Sequence, residues 1–314
     1  MNNLVNEIAI IVPSYKRQQN LERIGKYYEN FGMNVYILDS SPLEAKVSLP
    51  SNVIYKWMPQ YNFSHKIRFQ IESLNNIPFI ALIADDDFVK YETLLECYEV
   101  MKGNKKLVMS NGVQYLFNQE YDRRIYYNPS ANGFEGINVI KNDDDGIRYY
   151  WKNYQNIIWS LFRKDVLLDA FKKLVECNFT SGNFPELLIS IEVLRHGNVY
   201  MSEQPFNFME INPNEHWGTT SASISWPSYW TVPSLKKDVL IFKKFFRKDE
   251  LAMRCLKLHM GNPFKVFINV FLRYLKSQIR RLIKLNRNNE TTGNGILLVS
   301  DDIMLERLSK VLEK

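Results

Sequence analysis

Cysteine is scarce in this sequence: its 314 residues include only Cys97, Cys177 and Cys255, far apart along the chain. None belongs to a CxxC or CxxH pair, which argues against a disulfide scaffold and against a structural zinc site. Unpaired cysteines of this kind are typical of the reduced cytoplasm. Long hydrophobic runs are also missing. The longest clean apolar stretch, residues 77–84, is far too short to cross a bilayer.

The N-terminus lacks the features of a secretory signal. Its apolar run at 8–12 has no basic segment before it and directly follows Glu7, which is typical of a strand. We therefore expect a soluble, intracellular protein. Aromatic residues make up 14% of the chain, which excludes a disordered, low-complexity protein. With 46% hydrophobic residues, the length predicts one large domain or two modest ones.

Positive charge is unevenly distributed along the chain. The formal net charge is +6, but residues 236–287 alone carry 15 Lys and Arg against three acids. Within this segment, the apolar residues of 263–285 recur every three or four positions, and basic residues cover the other side of the predicted helix. A cationic amphipathic helix predicts contact with a membrane surface, and packing on the protein body is the alternative. We expect no nucleic acid partner, because no recognised nucleic-acid module accompanies the charge.

Strand and helix patterns alternate over the first hundred residues. This alternation predicts βαβ units and an α/β fold with a mostly parallel sheet. The predicted strands cover 7–13, 35–38, 53–57, 77–84 and 107–110, and the predicted helices cover 21–31, 65–75, 91–102, 164–177 and 185–196. Asn20 is the expected N-cap of the first helix.

Polar clusters follow three of the predicted strands. They are residues 13–17 (PSYKR), 39–41 (DSS) and 85–87 (DDD). In open parallel sheets, ligands bind outside the carboxyl ends of the strands, so we expect the three clusters to converge on one edge.

The aspartate triplet 85–87 is the strongest local signal. Adjacent carboxylates repel one another, and their hard oxygen atoms suit Mg²⁺ or Mn²⁺, which keep positions open for phosphate oxygens. A solvated acidic turn or a helix N-cap is the alternative for such a run. The strand before the triplet and the two neighbouring clusters favour the metal site. A second acidic run at 143–145 follows no apolar strand, so we expect a solvated loop there.

Together, these motifs resemble the nucleotide-sugar glycosyltransferases of the GT-A fold. The segments IVPSYKR at 11–17, LDSS at 38–41 and IADDDF at 83–88 carry the resemblance. It is closest to family 2-like bacterial enzymes of surface-glycan synthesis, which have an ADDDF form of the DxD motif. The resemblance covers about residues 7–110, is looser to about 220 and is absent beyond.

The resemblance implies a role for each matching residue. Pro13, Ser14, Tyr15 and Arg17 match the strand end that lines the nucleotide base and ribose, and Asp39 matches an acidic residue that contacts them. Asp85 and Asp87 match the outer DxD positions, which hold the metal on the diphosphate, with Asp86 between them.

Three further residues are candidates on the substrate side. Lys66 is a candidate partner for a phosphate or a donor sugar hydroxyl, and an exposed helix lysine is the alternative. By resemblance, the base of an inverting enzyme lies at the start of a helix, where Glu186 follows Pro185, a residue suited to position N1. A first-turn glutamate that only stabilises its helix is the alternative. His216 is a candidate third metal ligand, with a solvated loop histidine as the alternative.

The sequence therefore predicts a Rossmann-like GT-A domain over 1–232 and a basic helical extension over 233–314. The expected activity is transfer of a sugar from a UDP-sugar, with Mn²⁺ or Mg²⁺, onto a glycan or lipid-linked glycan acceptor. We expect a cytoplasmic enzyme, peripheral on the inner face of the membrane, with Glu186 as the base of an inverting step. The alternatives are a retaining transferase on the same fold and a non-catalytic subunit that binds a glycan or a membrane.

Overall fold

The structure, a computed structural model, describes residues 4–117, 125–127, 138–154, 156–210, 229, 232–261 and 296–297. These ranges form an α/β fold in which eight helices flank one mixed, mostly parallel sheet. Its strands are β1 Ile8–Ser14, β2 Asn34–Asp39, β3 Val53–Trp57, β4 Phe79–Leu82, β5 Phe88–Val89, β6 Leu107–Phe117, β7 Ile125–Tyr127, β8 Val139–Ile140, β9 Leu161–Arg163, β10 Asn198–Glu210 and β11 Ile296–Leu297.

The eight described helices carry most of the remaining residues. They are α1 Gln18–Tyr28, α2 Phe63–Ser73, α3 Tyr91–Gly103, α4 Asp144–Lys152, α5 Lys164–Cys177, α6 Asn183–His196, α7 Pro233–Phe245 and α8 Glu250–Met260. Within the described ranges, no helix combines the length and the apolarity that crossing a membrane requires.

The parallel part of the sheet aligns the strand ends that carry the polar clusters. The strand order is β11-β7-β6-β9-β4-β1-β2-β3, and β10 pairs with β5, β6 and β8. Ser14 at the end of β1 is in register with Asp39 at the end of β2, and Asp39 is in register with Trp57. Pairing of β1 with β4 is also parallel, whereas β9 runs antiparallel between β4 and β6.

Alternating side chains of β1 build two apolar layers, one on each face of the sheet. Ala9 and Ile11 belong to the layer that packs against α2 and α4–α8, whereas Ile8, Ile10 and Val12 belong to the layer under α1 and α3. Every residue of β1 is buried, as expected for a central parallel strand. The α/β architecture predicted from the alternating pattern is therefore confirmed.

Helix starts differ from the sequence predictions at two places. Arg17, and not Asn20, occupies the N-cap position of α1, without a capping bond from its side chain, and Asn20 lies inside that helix, where its side chain is buried. Helix α6 begins at Asn183 after Gly182, so the prediction of Pro185 at N1 was wrong, although Glu186 does lie in the first turn. Proline is tolerated there because the first backbone N–H groups of a helix need no partner within it.

The acidic run at 143–145 is exposed, as predicted, but it begins a helix, so the prediction of a loop there was wrong. The Asp143 side chain accepts a hydrogen bond from the backbone N–H of Gly146, 2.8 Å away, and α4 starts at Asp144. Aspartates are favourable here because they accept from otherwise unpaired N–H groups and face the positive end of the helix. Ile147, Tyr150 and Trp151 then bury one face of α4.

Helices α7 and α8 pack into the same apolar layer as the sheet. Leu235 and Phe242 of α7 and Leu256 of α8 are buried in it, and the rings of Phe242 and Phe184 lie 6.0 Å apart. The division into domains 1–232 and 233–314 stays a prediction. The helix predicted over 263–285 lies outside the described residues.

A buried carboxylate joins α7 to the segment before α6. Asp238 is fully buried and accepts hydrogen bonds from Thr180, through both its backbone N–H and its hydroxyl, and from the Ser181 N–H at 2.6 Å. These bonds fix the turn between α5 and α6, and they thereby fix where the first turn of α6 begins.

Replacing Asp238 with alanine should lower the free energy of unfolding by about 3 kcal/mol, because the buried N–H of Ser181 and two partly buried donors of Thr180 lose their acceptor. Urea titration followed by circular dichroism measures this loss. Asp169→Ala is the matched control: its carboxylate is 47% exposed, so we expect a change within about 0.5 kcal/mol. Equal effects of the two variants would contradict the structural role of Asp238.

Candidate functional site

The three polar clusters converge at the carboxyl edge of the parallel strands, as the sequence predicted. The Ser14 hydroxyl donates to Asp85 Oδ2 at 2.7 Å, which joins the ends of β1 and β4. The Lys66 ammonium donates to the Ser14 carbonyl at 2.6 Å and to Ser40 Oγ at 3.0 Å, which joins β1 to β2. The described structure therefore places all three clusters within one hydrogen-bonded group.

Arg17 is the cation that faces the aspartate triplet. Its Nη1 lies 2.9 Å from Asp85 Oδ1 and 2.6 Å from Asp86 Oδ2. The resemblance implied that Arg17 lines the nucleotide, and that role stays a prediction. Its observed partners are carboxylates, so it offsets part of the negative charge of the triplet.

Burial makes the charge of the triplet costly. It raises the pKa of Asp85 to about 6, the charge of Asp86 adds to this rise, and Arg17 opposes it. The pKa of Asp87 is raised well above its ordinary value, first by burial and then by the charge of Asp86. The site therefore holds more buried carboxylate than its own positive charge neutralises.

Asp87 has two partners that the sequence did not reveal. Asn207 Nδ2 donates to Asp87 Oδ2 at 3.3 Å, and the backbone N–H of Glu210 donates to Oδ1 at 3.2 Å. Both residues lie on β10, more than a hundred positions away, and no motif marks them. The Oδ1 atom of Asn207 is buried and accepts no hydrogen bond from the described residues.

The donor set at the triplet fits a hard divalent cation. Mg²⁺ is commonly bound by one or two carboxylates together with water and substrate phosphates, and Asp85 and Asp87 supply the carboxylates. Over the residues that the structure describes, no three His, Cys, Asp or Glu side chains form a complete metal-binding group. His216, the predicted third ligand, lies outside the described residues.

The Asp39 carboxylate is held in place by hydrogen bonds within the protein. It is fully buried, and it accepts from the Ser41 N–H at 2.8 Å, from the Ser41 hydroxyl and from the Tyr55 hydroxyl at 2.9 Å. Tyr55 in turn accepts from the Ala45 N–H. Asp39 thus shapes the loop after β2, and its contact with a nucleotide stays a prediction.

Exposed aromatic side chains stand on either side of that loop. Tyr15 is 54% exposed and Trp57 is 40% exposed, and the Trp57 indole N–H donates to the Ser41 carbonyl at 2.9 Å. Between them, Lys16 has a left-handed backbone with φ of 58° and donates its N–H to Ser41 Oγ. A non-glycine residue in this conformation costs about 1–3 kcal/mol, and strained residues of this kind cluster at functional sites. Sequence reasoning predicted Tyr15 but missed Trp57.

Lys66 is buried, so it is not the exposed helix lysine considered as the alternative. Burial lowers the pKa of its ammonium to about 8, against the opposing charges of Asp85 and Asp39. Its hydrogen bonds to Ser14 and Ser40 hold the ends of β1 and β2 together. Pro13, buried within β1, supports the same edge.

Glu186 forms a second carboxylate centre at the start of α6. Asn156 Nδ2 donates to its Oε1 at 2.9 Å, and the Tyr154 hydroxyl donates to its Oε2 at 3.3 Å. Burial raises the pKa of Glu186 to about 7, while the bond from Tyr154 lowers it. The His259 ring of α8 packs against Tyr154 with 4.6 Å between centroids, and burial lowers the pKa of this histidine to about 4.

The two carboxylate centres are connected through neighbouring strands. Asn207 on β10, the partner of Asp87, is in register with Gln114 on β6. Gln114 Nε2 donates to the Asn156 carbonyl at 3.3 Å, and the Asn156 side chain binds Glu186. The sheet therefore links both centres through a short series of polar residues that spacing in the sequence does not indicate.

Comparison with models of known protein families finds no match for this chain, and comparison with curated proteins finds none either. The chemistry of the site therefore has to be inferred from its own side chains. They are a triplet of carboxylates, two of them buried, beside one guanidinium, exposed aromatic side chains at the adjacent strand ends, and a separate glutamate whose pKa is near 7.

Glu186→Gln should remove a pH dependence of stability. The folded-state pKa of Glu186 is raised from 4.5 to about 7, so its favourable contribution is complete below pH 4.5 and is lost as the pH rises through about 7. We expect the variant to match the wild type at pH 4.5 and to exceed it by about 1–3 kcal/mol at pH 8, after allowance for partial exposure. Urea titrations at the two pH values measure this, and parallel curves would contradict the raised pKa.

Proposed function

We propose that this protein is a metal-dependent glycosyltransferase of the GT-A type that uses a nucleotide-diphosphate sugar. The observation that carries the proposal is the aspartate triplet at the carboxyl end of a parallel strand, in which Asp85 and Asp87 are buried and Asp86 is partly buried, with Arg17 as the cation facing it. This is the position at which open α/β sheets bind ligands. The motif resemblance over residues 7–110 supports the same reading.

The nucleotide fits at the ends of β1, β2 and β3. Tyr15 and Trp57 present exposed aromatic side chains for a base, with Ser14, Arg17 and Asp39 at the strand ends beside them. A UDP-sugar is the donor that we propose. Arg17 orients Asp85 and Asp86, and a guanidinium is also the side chain that best matches phosphate oxygens.

Asp85 and Asp87 would hold Mn²⁺ or Mg²⁺, with His216 as the proposed third ligand. When bound, the cation neutralises the charge that develops on the nucleoside diphosphate as it leaves. Ser14 and Asn207 fix the orientations of the two aspartates through their hydrogen bonds. These bonds hold the carboxylates ready before any ligand binds.

Glu186 is the proposed base of an inverting displacement. The acceptor oxygen forms a bond to the anomeric carbon, the bond from that carbon to the phosphate oxygen breaks, and the nucleoside diphosphate leaves with the electron pair. The acceptor hydroxyl proton passes to Glu186. A pKa near 7 suits this role because the group is partly ionised at neutral pH and still basic enough to take a proton. Asn156 and Tyr154 orient the carboxylate.

The acceptor that we propose is a growing surface glycan, free or lipid-linked, as in capsule, O-antigen or teichoic-type polymers. Work at the cytoplasmic face of the membrane, with contact through 263–285, belongs to the same proposal. A retaining transferase with a purely structural Glu186 is the enzymatic alternative. A non-catalytic glycan-binding or membrane-binding subunit is the alternative from a different class.

A thermal-shift screen of nucleotide sugars with Mn²⁺ tests the central proposal. At saturation, the correct donor should raise the melting temperature by about 5 °C. Asp87→Asn should abolish the Mn²⁺-dependent part of this shift. The control Asp145→Asn, an aspartate of the other acidic run, should keep it. If no nucleoside diphosphate or nucleotide sugar stabilises the wild type, the proposed function fails.

Turnover of the donor found in that screen tests the base. Glu186→Gln should lower kcat by about 10²- to 10⁴-fold without changing nucleotide affinity, because general-base catalysis acts on the chemical step. Glu176→Gln, an exposed glutamate on α5, should leave kcat unchanged. NMR of the product should show an inverted anomeric configuration. Retention would rule out Glu186 as an inverting base, and the absence of turnover by any Mn²⁺-bound donor would favour the non-catalytic alternative.

A further inference from the structure

Helix α7 has one face in the core and one face in solvent. Leu235, Val239 and Phe242 are buried in the apolar layer under the sheet. The opposite side carries Lys237, Leu240 and Lys244, whose spacing of three and four residues places them on a single exposed stripe. Two further exposed bases, Arg247 and Lys248, lie in the turn that follows the helix.

The exposed charge on this face has one sign. Between residues 233 and 248 the only acid is Asp238, which is buried and bound to Thr180 and Ser181. The exposed charged residues of this stretch are all basic: Lys236, Lys237, Lys244, Arg247 and Lys248. The basic segment recognised in the sequence therefore presents a positively charged surface already on α7, before 263–285 begins.

Two exposed apolar side chains belong to the same helix, and Leu240 lies within the basic stripe. Leu240 is 53% exposed and is flanked by Lys237 and Lys244, one helical turn away on either side, and Phe245 at the end of the helix is 43% exposed. An exposed leucine among charged side chains of one sign has the composition of a surface that inserts into a lipid interface. At such an interface, acyl chains accept the apolar groups while the anionic headgroups pair with the bases.

We propose that the outer face of α7 and its following turn, residues 236–248, binds an anionic lipid bilayer. The exposed Leu240 and Phe245 favour a bilayer over a soluble polyanion such as a nucleic acid or an acidic glycan, which offers nothing to an aliphatic side chain. This site is separate from the segment 263–285 to which the sequence assigned membrane contact. It does not depend on the proposed enzymatic function.

The position of α7 also relates the membrane to the second carboxylate centre. Asp238, on the buried side of α7, fixes the turn at Thr180 and Ser181, and α6 with Glu186 follows directly. A bilayer held on the outer face would therefore lie one helix away from the element that carries the proposed base. This arrangement suits an acceptor that is anchored in the membrane.

Cosedimentation of the full chain with vesicles tests the proposal. Phosphatidylcholine vesicles with phosphatidylglycerol should bind the wild type, and vesicles of phosphatidylcholine alone should bind it far less. The double variant Lys237→Gln/Lys244→Gln should bind the anionic vesicles about thirtyfold more weakly. Leu240→Gln should weaken binding about fivefold through lost insertion. The matched control Lys105→Gln/Lys106→Gln removes two exposed lysines from the turn before β6 and should bind like the wild type.

Several outcomes would overturn the proposal. One is equal losses in the two double variants, because general electrostatics would then explain the binding. Another is full binding by Lys237→Gln/Lys244→Gln, which would assign the contact to other residues such as 263–285. A third is an unaffected Leu240→Gln together with complete competition by heparin, which would indicate a soluble polyanion as the partner. Melting temperatures equal to that of the wild type show that each variant remains folded.

Discussion

The buried negative charge at the end of β4 is the constraint on which the described site depends. Three consecutive carboxylates at this position repel one another, and burial raises the pKa of both Asp85 and Asp87. Four groups donate hydrogen bonds to these carboxylates: a guanidinium from the start of α1, a hydroxyl from β1, and an amide and a backbone N–H from β10. Because these partners come from three separate elements, the triplet ties the first strand, the first helix and the last long strand to one edge of the sheet.

A second carboxylate centre lies at the start of α6. Glu186 is held by Tyr154 and Asn156, and the turn before its helix is held by Asp238 of α7. The ring of His259 on α8 packs on Tyr154. Helices α7 and α8 therefore contact the residues that position the glutamate, through Asp238 and His259, while the outer face of α7 is exposed to solvent. These two helices, which largely belong to the basic segment, thus contribute to the core, to the surroundings of Glu186 and to the surface.

Much of the fold followed from local pattern. Buried runs such as residues 8–12 read as parallel strands because both faces of a central strand are covered, and the helix over 164–177 agrees with the structure residue for residue. The sequence predictions were wrong at helix starts, including those of α1 and α4. Asn20 had the right residue type for an N-cap but is buried inside α1. The acidic run at 143–145 begins a helix and not the predicted loop. The signal for this helix is the apolar stripe that follows the run, from Ile147 to Trp151.

The sequence alone determined that three polar clusters follow the ends of strands and that an aspartate triplet lies among them, because the positions of strand ends and the alternation of strands with helices are visible in the local pattern. Only the tertiary structure decided which groups meet the carboxylates. Asn207 lies 120 positions from Asp87, and Asn156 lies 30 positions from Glu186, so sheet register and helix packing bring them together. The same holds for Asp39 and Lys66: their types were visible in the sequence, but their burial, and with it their hydrogen-bond partners, depends on what the rest of the chain places over them.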